Sequence, residues 1–144
     1  RDVCAEAGFL PGGTEFVTAE VELFPALWVN RWVVRCLQTG RELRASLPLD
    51  HGPRAPVPSP DARWVAGVGA TRLVAWSPAD PEAPPVVRTN AGRRHFTGLA
   101  FHPSGAYLAT TSSDATVRVY DTATWEVART YAWEVGKLRC VAFS

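Results

Sequence analysis

Phe96-Thr-Gly-Leu-Ala-Phe101-His-Pro103-Ser-Gly105-Ala-Tyr107-Leu108-Ala-Thr110-Thr-Ser112-Ser-Asp114-Ala-Thr116-Val-Arg-Val119-Tyr120-Asp121 carries more structural information than any other part of the chain. It reads as a strand, a Pro/Gly turn, a second strand, a Ser-Asp turn and a third strand. Each strand has four to six residues, rich in small, β-branched or aromatic side chains. A fourth strand follows the next polar turn, at Thr124-Trp125-Glu-Val127-Ala-Arg.

The unit recurs in both directions. Cys140-Val-Ala-Phe143-Ser144 repeats Gly98-Leu-Ala-Phe101-His102 after 42 residues, a repeat length that fits a four-stranded supersecondary unit. Upstream, Pro60-Asp-Ala-Arg-Trp64-Val65-Ala66 precedes its counterpart from Pro103 by 43 residues, and Leu73-Val-Ala-Trp76-Ser77 precedes Val117-Arg-Val-Tyr120-Asp121 by 44. A third copy has its turn at Phe9-Leu-Pro11-Gly-Gly13, a strand at Glu15-Phe-Val-Thr-Ala and another at Trp32-Val-Val-Arg-Cys36. Pro11 and Cys36 are 25 residues apart, against 18 from Pro103 to Asp121, so about seven residues are inserted between those strands and are expected to form a loop around Glu22 to Trp28. Fourth strands are expected at Gln38 to Ala45 and Pro85 to Thr89. Pro78, Pro81, Pro84 and Pro85 cluster in a connection where they cost no ladder bonds.

These motifs resemble the WD-repeat family. The resemblance runs over nearly the whole chain and weakens toward the N-terminus. It implies an all-β fold of four-stranded antiparallel β-propeller blades in an incomplete ring of about three blades, residues 1–144 forming one partial propeller. The units are expected at about 3–50, 51–92 and 93–135, with the start of a further unit at 138–144. By resemblance, the family's structural Asp falls on Asp114 and its Ser/Thr on Thr110 or Ser112. Its Trp-Asp pair becomes Tyr120-Asp121, then Trp76-Ser77 and Arg35-Cys36 in the other copies. The family's Gly-His pair is missing: nine residues before Phe101 stands Gly92, and nine before Phe143 stands Glu134. The hydrogen-bonded His, Ser/Thr, Asp and Trp tetrad is therefore incomplete. Blades cover their faces only against neighbouring blades. The sequence thus predicts a fan that is a fragment of a larger protein or associates with copies of itself.

The remaining sequence bounds the function. An apolar share of 47% and a charged share of 20% are those of a globular protein. The net charge of +1, with signs interspersed, gives no basic stripe for nucleic acid, and no apolar run approaches the roughly 20 residues that span a bilayer. No basic-then-apolar leader follows Arg1; a cytoplasmic location is favoured. Fourteen arginines against one lysine, with no isoleucine or methionine, read as the codon bias of a GC-rich, bacterial genome. Cys4, Cys36 and Cys140 are odd in number and widely spaced, and are expected as small core residues rather than a disulfide framework or zinc site. Gly67-Val-Gly69-Ala-Thr-Arg72 lacks the third glycine of a dinucleotide loop. His51, His95 and His102 occupy unrelated repeat positions, so neither a cofactor nor a metal is expected.

The expected function is a non-catalytic scaffold for a protein or peptide partner. By resemblance, the loops from second to third strands and those entering the first strands share one end of the blades. Phe24, Trp28, Arg93, Arg94, His95 and Trp133, with Glu134, fall there, and exposed aromatics and arginines are what binding hot spots use. An enzymatic propeller would need acidic or His residues at matching innermost positions; Glu6, Val57 and Gly98 do not recur in that way. A decayed gene product is the third reading.

Overall fold

The computed structural model describes residues 7–23, 28–49, 55–132 and 142–143. Among the described residues the alternating segments fold as twelve strands in three antiparallel sheets. The first holds β1 (Ala7–Phe9), β2 (Glu15–Leu23), β3 (Trp28–Cys36) and β4 (Glu42–Ala45). The second holds β5 (Val57–Pro58), β6 (Val65–Val68), β7 (Arg72–Trp76) and β8 (Val86–Thr89). After a short 3-10 turn at Ala91–Arg93, the third holds β9 (Phe96–Phe101), β10 (Tyr107–Ser112), β11 (Thr116–Asp121) and β12 (Glu126–Ala132). Within each sheet every strand pairs with its sequence neighbour, so each is a meander. These are blades of a β-propeller, and they do not close a ring.

One turn is built three times from the same bonds. The amides of Leu10, Ser59 and His102 donate to the carbonyls of Glu15, Trp64 and Tyr107 at 3.0, 2.7 and 2.8 Å. Inside those loops the amides of Gly13, Ala62 and Gly105 donate back to Leu10, Ser59 and His102 at 3.1, 3.0 and 2.8 Å. The closing residue lies in the left-handed region each time, with φ of 71° at Gly13, 63° at Ala62 and 77° at Gly105. Glycine adopts that conformation without steric cost, whereas alanine is strained there. The turn is thus dictated by hydrogen bonding, and the second sheet keeps it despite a poorly suited residue.

The middle sheet is apolar on both faces because its side chains alternate. Val65, Val74 and Trp76 pack with Leu10, Val17, Trp32, Val34 and Leu49 on the side of the first sheet. Ala66, Leu73 and Ala75 pack with Phe96, Phe101, Leu108, Tyr120 and Trp125 on the other. Burial of each large apolar side chain contributes about 1.5–3 kcal/mol, so these two layers are the main source of stability. Contact is close. A Cβ on Gly67 would lie 2.7 Å from Cζ2 of Trp32, so only glycine lets the first two sheets approach as they do. On the other side, Trp125 meets Trp64 edge-on with ring centroids 5.2 Å apart, and the Arg88 Nε donates to the Trp125 carbonyl at 2.8 Å.

Two expectations need correction. The inserted residues of the first unit do not all form a loop: Glu22 and Leu23 belong to β2 and Trp28 to β3, which pair over nine residues from Glu15↔Cys36 to Leu23↔Trp28. The run Glu-Val-Glu-Leu continues the alternation of β2, so the insertion lengthens a hairpin; residues 24–27 lie outside the described residues. Cys36 is not a core residue either. It stands half-buried at the end of β3, where the Thr39 side chain, and then the backbone amides of Thr39 and Gln38, in the turn that follows, hydrogen-bond the sulfur and hold its thiol below the usual cysteine value. Cys4 and Cys140 lie outside the described residues.

The far face of the third sheet has no fourth sheet against it among the described residues. Tyr107 and Tyr131 are 42% and 40% exposed there, and the Phe143 ring rests edge-on against His102 at 5.1 Å, closing one side of a cavity of about 320 Å³. Phe143 stands 42 residues after Phe101, which fills the layer between the second and third sheets.

Candidate functional site

The chain leaves β8 and enters β9 through Asn90 to His95, and this loop is fixed at both ends. The Asn90 amide donates to the Thr71 carbonyl at 2.8 Å and that of Phe96 to the Ala70 carbonyl at 2.8 Å, which ties the loop to the β6–β7 turn. The Ser113 amide donates to the His95 carbonyl at 2.9 Å, and the His95 amide donates to the Ser113 hydroxyl at 3.3 Å, which ties it to the β10–β11 turn. Three connections thus converge at one end of the second and third sheets.

Asn90 organises this end. Its side chain is buried, and its Nδ2 donates to the Arg94 carbonyl at 2.8 Å and to Oγ of Ser112 at 2.6 Å. Its Oδ1 accepts from the Arg118 guanidinium at 3.2 Å. Buried polar groups are costly unless paired, and here the carboxamide is satisfied on both sides. Arg118 also donates to Oγ1 of Thr116 at 2.7 Å and lies 3.8 Å from Oδ2 of Asp114. Asp114 accepts from the Thr116 amide at 3.2 Å and hydroxyl at 2.6 Å. Burial opposes its ionisation, but these bonds and the Arg118 charge prevail, holding its carboxyl below the ordinary aspartate value.

The sequence-derived residues fall into distinct places. Asp114 belongs to this network and Ser112 joins it, whereas the buried Thr110 hydroxyl points along its own sheet to the Arg118 carbonyl at 3.4 Å. Tyr120 lies in the core between the second and third sheets, where burial raises its phenol. Asp121 caps the β11–β12 turn, accepting from the Ala123 amide on its side chain at 2.8 Å and from the Trp125 amide on its carbonyl at 2.6 Å. Arg93, Arg94 and His95 are together and exposed on the anchored loop. Trp28 opens β3 of the first sheet, and Phe24 and Trp133 lie outside the described residues. Asn90 and Arg118 were not anticipated. Counting nine back from Phe101 reaches Gly92, but the 3-10 turn compresses the loop and brings Asn90 to the buried position. The Thr-Asn-Ala-Gly run after a strand was the available signal.

The remaining chemistry is sparse. Among the described residues no group of three or more His, Cys, Asp or Glu side chains is placed to hold a metal ion. Val57 and Gly98, in the innermost strands, bring no ionisable group. No helix of the described residues is long and apolar enough to cross a membrane.

Residues 87–121, which contain the anchored loop and β9 to β11, match the family described as "WD domain, G-beta repeat". The target of rapamycin complex subunit wat1 of Schizosaccharomyces pombe is 32% identical over 73 residues, covering 51% of this chain and 23% of that protein. Among solved structures, the Myceliophteria thermophila Cps50 (Swd1) beta-propeller domain superposes with a TM-score of 0.74 at 12% identity, covering 94% of this chain and 43% of that one. The RRP9 WD40 repeats give 0.68 at 17% identity, covering 93% and 40%. U3-55K gives 0.71 at 15% identity, again covering 93% and 40%. The chain thus spans about a quarter of the curated relative and about two-fifths of the solved chains.

Proposed function

We propose that this chain is a WD-repeat segment of a larger propeller and serves as a non-catalytic scaffold that binds a protein or peptide through the end where the β8–β9 loop emerges. The observation that carries this reading is the exposure of Arg93, Arg94 and His95 on a loop locked by the buried Asn90. A rigid loop spends little ordering entropy on binding, and arginine is among the residues that most often dominate binding energy. The repeat match over residues 87–121 and a relative named as a complex subunit support it. Phe24, Trp28 and Trp133 belong to the same proposed surface, Asp114 holds its β10–β11 turn, Asp121 holds the β11–β12 turn at the far end of the same blade, and no cofactor takes part. The arginine-rich composition favours a bacterial source, and a multidomain, cytoplasmic parent is proposed by analogy with WD-repeat propellers; the curated relative is from fission yeast.

Affinity capture with the wild-type chain, Arg94→Ala, and Arg63→Ala at the opposite end tests the reading. A protein retained by wild type and Arg63→Ala but lost with Arg94→Ala is expected. Equal retention by all three would move the binding surface elsewhere.

A further inference from the structure

The two ends of the blades differ in charge. The turns around Leu10, Cys36, Ser59, Ser77, His102 and Asp121 share one end and, with the strand residues beside them, carry Glu15, Glu42, Asp61, Asp80, Glu82, Asp121 and Glu126 against Arg35, Arg41, Arg44 and Arg63. The three converging connections carry Arg93 and Arg94 against Asp114, and Arg72 at the start of β7 and Arg118 on β11 stand beside them. That carboxylate is already committed to Thr116 and Arg118. Arg93 and Arg94 form no ion pair among the described residues, and Arg93 sits at φ 51°, a conformation uncommon for any residue with a Cβ and maintained by the bonds around Asn90.

We infer that this end receives an acidic peptide segment of a partner protein, with Arg93 and Arg94 forking onto its carboxylates. The inference rests on the scaffold reading and names the partner's chemistry. Guanidinium and carboxylate pair through two parallel hydrogen bonds, and a local excess of one sign steers an oppositely charged chain toward it. A short acidic motif fits better than RNA. The cations occupy one short loop and its supports rather than a stripe along which a phosphate backbone could run.

Fluorescence anisotropy with a labelled twelve-residue peptide of alternating Glu and Ser, its Gln counterpart and a single-stranded RNA decamer decides the matter. The Glu peptide is expected to bind at least about tenfold more tightly than the Gln peptide, and to lose about tenfold or more when Arg93→Glu and Arg94→Glu are combined. Arg94→Gln, which conserves the backbone, is expected to lose several-fold, while Arg63→Glu at the opposite end leaves binding unweakened. Failure of the Glu peptide to bind, equal binding of both peptides, indifference to the arginine substitutions, or tighter binding of the RNA would overturn the inference. The scaffold reading would then still stand or fall by the capture experiment, which does not depend on the partner being acidic.

Discussion

At the scale of single residues, positions that look interchangeable in the repeat are not energetically equal. Gly13, Ala62 and Gly105 close the same turn, yet only Ala62 bears a side-chain carbon in the left-handed region. Ala62 is exposed, so its methyl contributes little packing, and Ala62→Gly is expected to stabilise the chain by about 0.5–1 kcal/mol, read as a raised Tm. A lowered Tm would mean that the turn does not hold that conformation. Asp114 makes a pH-dependent contribution. Its pKa is depressed in the folded state, so its stabilisation is present above the unfolded aspartate value near about 4 and is lost as pH falls through the folded one. Denaturant titrations are therefore expected to find Asp114→Asn less stable by about 1 kcal/mol at neutral pH, with the gap to wild type closing at low pH. Cys36 is expected to alkylate faster near neutral pH than an ordinary exposed thiol, and Thr39→Val to slow it; peptide mapping after a timed iodoacetamide pulse measures both.

At the scale of elements, the alternation of apolar side chains and the Pro/Gly and Ser-Asp turns specified strands, turns and their order well. Pattern alone could not tell a seven-residue loop from a longer hairpin, because Glu-Val-Glu-Leu satisfies a strand and its turn equally at the level of residue counts. Nor could it find Asn90, since counting along the chain assumes a constant rise that the 3-10 turn breaks. Close approach between sheets was equally hidden: Gly67 reads as a residue that weakens a strand, and only the position of Trp32 shows why it is needed. Gly67→Ala is expected to cost about 1–3 kcal/mol by forcing the indole or the sheet to move. Chemical denaturation measures it, and an unchanged midpoint would mean that the first two sheets are not in contact there.

At the scale of the whole molecule, stability and surface follow from one arrangement. The middle sheet has both faces covered, each by large side chains from a neighbour, while the outermost strands β4, β8 and β12 stay largely open to solvent. The same stacking brings the β8–β9 loop between two turns and gathers the arginines at one end, so binding surface and core depend on a common geometry. The most direct measurement is a set of proton nuclear Overhauser contacts across the two faces of the middle sheet. The stacked arrangement predicts cross-peaks from the Trp32 indole to the Gly67 α protons, and from the Trp64 ring to the Trp125 ring. Strand pairing within the sheets without those two sets of cross-peaks would contradict it.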